Sequence, residues 1–117
     1  MPLVLLVDDT ESWRTIVAGT VHKMMPEIKL GVLYNLDQAK QADRLSPYDL
    51  IITDGTIQTH EDGKQWAHEL QQQKRRVILI TGMAKKDLPL SLPSISKREY
   101  EEDELCAMLT KLLANDG

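Results

Sequence analysis

The sequence predicts an α/β protein built on a parallel sheet, because apolar runs alternate with segments of helical periodicity. Three of these runs, residues 3–9, 48–54 and 77–82, end in polar groups. Short unbroken apolar runs are typical of strands that are buried on both faces, as in a parallel sheet covered by helices. Strands that alternate with helices along a chain favour that arrangement.

The first half of the chain supplies two strands and two helices. A helix is expected over residues 10–25, with Thr10 as its cap and Pro26 after its end; its apolar positions are Trp13, Ile16, Val17, Val21, Met24 and Met25. Residues 28–32 alternate between apolar and other side chains, which indicates an edge strand. A second helix opens at Asn35, with Gln38 three residues later as in a capping box. Its predicted buried face is Leu36, Ala39, Ala42 and Leu45.

The second half begins with the apolar strand that ends at Asp54, followed by a polar loop over residues 55–63. A third helix turns Trp66, Ala67 and Leu70 inward. Pro89 interrupts the segment after the fourth strand, so the helix expected there is reduced to a short turn. Residues 93–97 form a weak edge strand. The last helix is predicted over residues 98–114, with an apolar stripe of Leu105, Met108, Leu109, Leu112 and Leu113.

Five parallel strands in this pattern point to a flavodoxin-like, doubly wound sheet of order 2-1-3-4-5, with a crevice beyond the first and third strands. Five polar groups then converge on one rim. They are Asp8 and Asp9 after the first strand, Asp54 at the end of the third, Thr81 at the end of the fourth and Lys97 after the fifth.

The five residues suggest phosphoryl chemistry. Three carboxylates can hold Mg²⁺, which prefers oxygen ligands, and Lys97 adds a positive charge for phosphoryl oxygens. Thr81 can donate a hydrogen bond, and Asp54 stands alone at the centre, where it suits a nucleophile that forms an acyl phosphate. Each residue also has a purely structural interpretation: a helix cap, a satisfied backbone group or a solvated lysine. The five structural interpretations together are much less plausible than one shared site.

The same residues give the chain a resemblance to the receiver domain of bacterial two-component response regulators, over its whole length. The motifs are residues 5–9, 49–54 and 78–82, together with Lys97. The resemblance implies that Asp54 accepts phosphate from a histidine kinase or a histidine phosphotransfer protein. It implies Mg²⁺ held by Asp9, Asp54 and the backbone carbonyl of Thr56, with Asp8 acting through metal-bound water. Thr81 and Lys97 would contact the phosphoryl group, and the protein would be a regulator rather than a conventional enzyme.

The sequence also departs from that family pattern. Ser94 stands three positions before Lys97, where receivers carry an aromatic switch residue, and Tyr100 lies on the wrong side of Lys97 to replace it simply. Arg98 replaces the proline that usually follows the lysine. The resemblance therefore implies an atypical receiver, with its phosphorylation residues present and its usual output surface altered.

Composition limits the other classes of function. The 117 residues fit one receiver domain, residues 1–117, and the net charge of −4 leaves no evident basic patch for direct nucleic-acid binding. The single cysteine, Cys106, suits a reducing compartment. The N-terminal residues show no long apolar segment behind a basic start, so no signal peptide or membrane span is expected. A cytoplasmic location is expected, with no membrane insertion.

Three alternatives to a phosphoacceptor were open from the sequence. An aspartate-nucleophile phosphatase needs a second acid two positions after the first, where this chain has Thr10. A flavodoxin-like cofactor binder needs a Gly, Ser and Thr-rich loop after the first strand, and the pair Asp8 and Asp9 would repel a phosphate. A degenerate receiver that acts as a phosphorylation-independent protein-binding scaffold is favoured by the missing aromatic and disfavoured by the intact acids. The downstream target cannot be read from the sequence.

Overall fold

Five parallel strands form the centre of the protein in the computed structural model, which describes residues 2–56 and 62–114. The strands are β1 (Leu3–Val7), β2 (Lys29–Leu33), β3 (Leu50–Asp54), β4 (Val77–Thr81) and β5 (Ser94–Ser96). The helices are α1 (Glu11–Met24), α2 (Leu36–Leu45), α3 (Asp62–Gln72) and α4 (Glu102–Ala114). The strand order is β2-β1-β3-β4-β5, which confirms the predicted flavodoxin-like topology.

Side chains of the central strands alternate between two apolar layers, as the pleat of a strand requires. On one side of the sheet, Val4, Leu6, Ile52 and Ile80 pack with residues of α1 and α4. On the other side, their neighbours along the strands pack with α2 and α3, as Leu5, Ile51 and Leu79 do. Every residue of β3 and β4 is buried, which explains why these strands read as unbroken apolar runs in the sequence.

The connection from β4 to β5 contains a single 3₁₀ turn, Lys85–Asp87, in place of a full helix. Leu92 is buried at its end and belongs to the layer that contains α2 and α3, whereas Leu90 is fully exposed. The Lys85 side chain forms a 2.7 Å ion pair with Glu104 of α4, which ties the turn to the last helix. The prediction of an eroded helix between the fourth and fifth strands is therefore confirmed.

The buried face of α2 differs from the predicted one. Leu45 is 80% exposed, whereas Asp43 is buried and forms a two-pronged ion pair with Arg75, at 2.7 and 2.9 Å. The backbone N–H of Tyr48 also donates to Asp43. The Asp43 carboxylate thus accepts three charge-assisted hydrogen bonds, two from Arg75 and one from Tyr48. A carboxylate with this many partners can be buried at a position where a leucine would otherwise be expected.

Three other boundary or burial predictions were wrong. Helix α4 begins at Glu102, four residues later than predicted, because residues 98 and 99 form a turn and residues 100 and 101 have no regular structure. Thr10 lies at the cap position of α1, but its side chain makes no capping hydrogen bond. Ile16 and Met24 were assigned to the buried stripe of α1 and are instead about 40% exposed.

Other local predictions are confirmed. The Asn35 side chain accepts a hydrogen bond from the backbone N–H of Gln38 at the start of α2, and Trp66, Ala67 and Leu70 are buried on α3. The loop predicted over residues 55–63 is described only at its two ends, because residues 57–61 lie outside the described part. Among the described residues, no helix has the length and apolar character needed to cross a membrane.

Candidate functional site

Three charged residues extend the series of alternate strand residues whose side chains face α1 and α4. Asp8 follows β1, Asp54 ends β3 and Lys97 follows β5, each two positions after a buried residue of that layer. Because successive strand residues point to opposite faces, these three side chains turn toward the same side of the sheet. Thr81 continues the row that faces α2 and α3 instead. The rim thus divides into a charged side and a hydroxyl side.

Lys97 lies between two of the carboxylates. Its ammonium is 3.0 Å from Oδ2 of Asp8 and 3.3 Å from Oδ1 of Asp54. The backbone N–H of Lys97 donates to the carbonyl of Thr81 at 2.7 Å, which fixes the point from which the long side chain departs. The predicted convergence of Lys97 with Asp8 and Asp54 is therefore present in the structure.

The turn after β1 fixes the position of Asp8. Its Oδ1 accepts a hydrogen bond from the backbone N–H of Thr10, and its backbone carbonyl accepts one from the guanidinium of Arg14 at 2.9 Å. Arg14 also lies over the ring of Tyr34, 5.6 Å from the centroid. The other carboxylate oxygen, Oδ2, is fully buried and has no hydrogen-bond partner, although it lies beside the Lys97 ammonium.

The pKa of Asp54 is raised in spite of the neighbouring lysine. Burial and, second, repulsion by Asp8 raise the pKa of Asp54 to about 6, against the opposing effects of Lys97 and a backbone hydrogen bond from Thr56. A carboxyl that is destabilised in its charged form in this way responds strongly to an added cation, because the cation stabilises that charged form.

The carboxylates have the geometry and the donor chemistry for a divalent ion. Oxygens of Asp8, Asp9 and Asp54 all lie within 4.8 Å of one another, so these three residues could hold a metal ion. The buried Oδ2 of Asp8 has no hydrogen bond, which is costly, and the Lys97 ammonium 3.0 Å away is the cation that offsets this cost in the metal-free site. Hard oxygen donors of this kind fit Mg²⁺.

Thr81 and Thr56 flank this cluster. Thr81 is buried, and its hydroxyl accepts a 3.4 Å hydrogen bond from the backbone N–H of Met83. The same hydroxyl lies 3.7 Å from the place where a Cβ at Gly55 would be, so it faces the chain that leaves Asp54. Thr56 is exposed, and its backbone N–H donates to Asp54. Ser94, at the position of the missing aromatic, is buried and bonds the carbonyl of Leu92.

Sequence reasoning missed two aromatic residues at the site. Trp13 was assigned to core packing; it does contact the apolar layer, but its ring also lies 5.4 Å from the Lys97 ammonium. Tyr100 packs edge-on against Trp13, with a centroid distance of 5.4 Å. Trp13 lies in the first turn of α1, which begins directly after the acids, and this closeness along the chain was the available signal.

The two histidines in the described part of the chain, His22 and His68, give no support for a further site. His22 is exposed on α1, and His68 is half-buried on α3. His60, which the sequence placed near Asp54, lies outside the described residues. Cys106 contacts the sulfur of Met24 at 3.7 Å and packs at the edge of the core, as expected.

Comparison with solved structures identifies the fold. The signal receiver domain of a DNA-binding response regulator protein from Colwellia psychrerythraea matches with a TM-score of 0.82 and 17% identity, over 98% of this chain and 100% of that chain. The receiver domain of a Francisella response regulator matches with a TM-score of 0.80 and 19% identity, over 97% and 98% of the two chains. The chain has the receiver-domain fold.

A putative response regulator from Chloroflexus aurantiacus is similar to the same degree, with a TM-score of 0.80 and 17% identity over 97% of this chain and 98% of that chain. No protein-family model matches the sequence, and no curated protein matches it significantly. At such low identity the likeness establishes the receiver fold. What the rim of this receiver fold does chemically depends on its own residues.

Proposed function

We propose that the protein is a receiver in which Asp54 accepts a phosphoryl group from a histidine kinase or a histidine phosphotransfer protein, with Mg²⁺ as the cofactor. The observation that carries the proposal is the cluster of Asp8, Asp9 and Asp54 beside Lys97. Three carboxylates, one ammonium and a strand-end hydroxyl suit the transfer of a phosphoryl group more closely than they suit any other chemistry considered for this chain.

In this proposal an oxygen of Asp54 attacks the phosphorus of the donor phosphohistidine. The new O–P bond forms as the P–N bond breaks. The electron pair of the P–N bond returns to the imidazole nitrogen. Lys97, already 3.3 Å from Asp54, would bind a phosphoryl oxygen, and Thr81 would donate its hydroxyl hydrogen to another. Mg²⁺, when bound by Asp9, Asp54 and the carbonyl of Thr56, would neutralise charge on the phosphoryl oxygens. Asp8 would hold water near the ion.

The protein would therefore be a regulatory phosphoacceptor in a two-component phosphorelay, rather than an enzyme that acts on a separate substrate. The protein would be located in the cytoplasm, where its phosphodonor would transfer the phosphoryl group. The direct test is intact-mass spectrometry after incubation with Mg²⁺ and a small phosphodonor. We expect the mass to increase by one phosphoryl group in the wild type and in Asp62→Asn, an exposed acid that serves as the matched control.

Asp54→Asn should show no such increase, because the amide cannot form the acyl phosphate. Phosphate on the Asp54→Asn protein would mean that the acceptor was wrongly assigned. A folded wild type that takes up no phosphate from any donor would favour the scaffold function, in which the receiver fold binds a protein partner without phosphorylation.

A further inference from the structure

The Lys97 side chain has a neighbour that the proposed chemistry does not use. Its ammonium lies over the ring of Trp13, 5.4 Å from the centroid, and the side chain is only 13% exposed. A cation is attracted to the electron-rich face of an aromatic ring, most strongly to tryptophan and most strongly where water is excluded. The lysine is therefore held by Asp8 and Asp54 on one side and by an indole ring on another.

The indole ring is itself held in place. Tyr100 meets Trp13 edge-on, with an angle of 75° between the rings, an arrangement that aromatic pairs favour. The hydroxyls of Tyr100 and Thr20 are 2.8 Å apart, and Thr20 donates to the carboxylate of Glu102 at 2.8 Å. Because Thr20 gives its single proton away, Tyr100 is the donor in their shared bond. Burial raises the pKa of Tyr100, which keeps that donor protonated.

We infer that Trp13 is a positioning residue for Lys97. A lysine side chain has a flexible four-carbon stem, and its ammonium can take many positions around a cluster of carboxylates. The indole ring, fixed by Tyr100, restricts the ammonium to the side of the rim where Asp54 ends its strand. The inference rests on the proposed function, because holding Lys97 there has a purpose only if a phosphoryl group arrives at Asp54.

The contact itself can be measured without phosphorylation. In protein labelled with ¹³C-lysine, the ε-methylene protons of Lys97 should be shifted upfield by the indole ring current and should be identified by their loss in Lys97→Met. We expect Trp13→Leu to return them to the ordinary lysine position. Trp66→Phe should leave them unchanged, because Trp66 packs in the layer on the opposite side of the sheet. An ordinary shift in the wild type would overturn the inference.

The consequence for phosphoryl transfer is measured at saturating Mg²⁺ and phosphodonor. Trp13→Leu should slow phosphate uptake about tenfold, and Trp13→Phe, which keeps a ring, should slow it by about threefold or less. The affinity for Mg²⁺ should change by less than about twofold, because Trp13 offers no ligand atom. Trp66→Phe is the control for the loss of an indole elsewhere.

A double-variant cycle separates positioning from a general effect on packing. If Trp13 acts through Lys97, adding Trp13→Leu to Lys97→Met should cause no further slowing. An equal slowing in both backgrounds would assign Trp13 a structural role and overturn the inference. Should Trp13→Leu fail to fold, the Trp13→Phe rate and the wild-type ring-current shift still decide it. A wild type that accepts no phosphate would refute the proposed function, while the ring-current shift would still report whether Trp13 holds Lys97.

Discussion

The ammonium of Lys97 lies 3.3 Å from Asp54, yet the pKa of Asp54 is raised to about 6 from an ordinary value of 3.8. Burial and the negative charge of Asp8 outweigh the attraction of the lysine. Without a metal ion, the single positive charge of Lys97 does not balance the negative charges of the clustered carboxylates. This imbalance should affect the pH dependence of stability and the binding of Mg²⁺.

The stability of the metal-free protein should fall as the pH rises from about 4 to above about 6. A carboxyl with a higher pKa in the folded protein binds its proton more tightly when folded, so its contribution is complete below the unfolded pKa of 3.8 and is lost as the pH passes about 6. Each unit of pKa difference is worth about 1.4 kcal/mol. Urea unfolding in chelator at several pH values measures this loss.

The loss should be absent in Asp54→Asn, which is neutral at every pH, and should persist in Asp37→Asn, an exposed acid on α2. Near neutral pH, Asp54→Asn should also be more stable than the metal-free wild type, because it removes the repulsion with Asp8. An unchanged pH profile in Asp54→Asn would mean that another group causes the effect.

Mg²⁺ affinity should depend on Asp9. Asp9→Asn removes one of three clustered carboxylates and should weaken Mg²⁺ binding about tenfold or more, since the ion prefers charged oxygen ligands. Isothermal titration calorimetry measures the affinity directly. Glu11→Gln, an exposed acid at the start of α1, is the matched control and should bind nearly as the wild type does. Equal affinities for all three proteins would remove the metal site.

The ion pair of Asp43 and Arg75 should have the opposite dependence on pH. Burial alone would raise the pKa of Asp43, but hydrogen bonds from Arg75 and Tyr48 hold it below the usual value. A carboxyl with a lowered pKa stabilises the fold above the unfolded pKa, and this contribution is lost as the pH falls through the folded pKa. Asp43→Ala should lower the free energy of unfolding at pH 7 by about 2 kcal/mol, because it removes the carboxylate acceptors of the guanidinium and leaves it only the carbonyl of Tyr48.

Chemical denaturation of Asp43→Ala, Arg75→Met and the double variant measures this pair. The double variant should lose clearly less than the sum of the single losses, since each single change already breaks the pair. Strictly additive losses would show that Asp43 and Arg75 stabilise the fold independently.

Lys74 offers a stabilising substitution. It follows α3 with a φ of 61°, the left-handed conformation in which a Cβ atom is crowded. The backbone N–H of Arg75 bonds the carbonyl of Leu70, as in the Schellman motif that glycine usually completes. Lys74→Gly should raise the free energy of unfolding by about 1 kcal/mol. Lys74→Ala loses the same charge but keeps the Cβ, so thermal unfolding should show no comparable gain for it.

The sequence predicted the features that depend on local patterns. Unbroken apolar runs identified β1, β3 and β4, and the polar residues at their ends predicted which side chains would share a rim. Asn35 and Gln38 identified the start of α2 because a capping box involves residues only three positions apart. The alternation of strands with helices predicted the parallel sheet, and five such strands pointed to the flavodoxin-like order.

Features that depend on distant partners were not predicted. Helical periodicity favoured Leu45 as buried, but Asp43 is buried instead because Arg75, 32 residues later, supplies its hydrogen bonds. The contact of Lys97 with Trp13 was missed for the same reason. Tyr100 was considered only as a substitute for the missing switch aromatic, although its ring packs edge-on against Trp13.

The short connection between β4 and β5 makes this part of the molecule suitable for engineering. Twelve residues, 82–93, join two parallel strands, which is close to the minimum length for a crossover. Deletions there should prevent β5 from reaching its place in the sheet. Insertions should be tolerated, because Leu90, three residues after the 3₁₀ turn, is fully exposed and exposed loop tips tolerate added sequence. A reporter peptide or a new chain terminus placed beside Leu90 would leave both apolar layers and the acidic rim undisturbed.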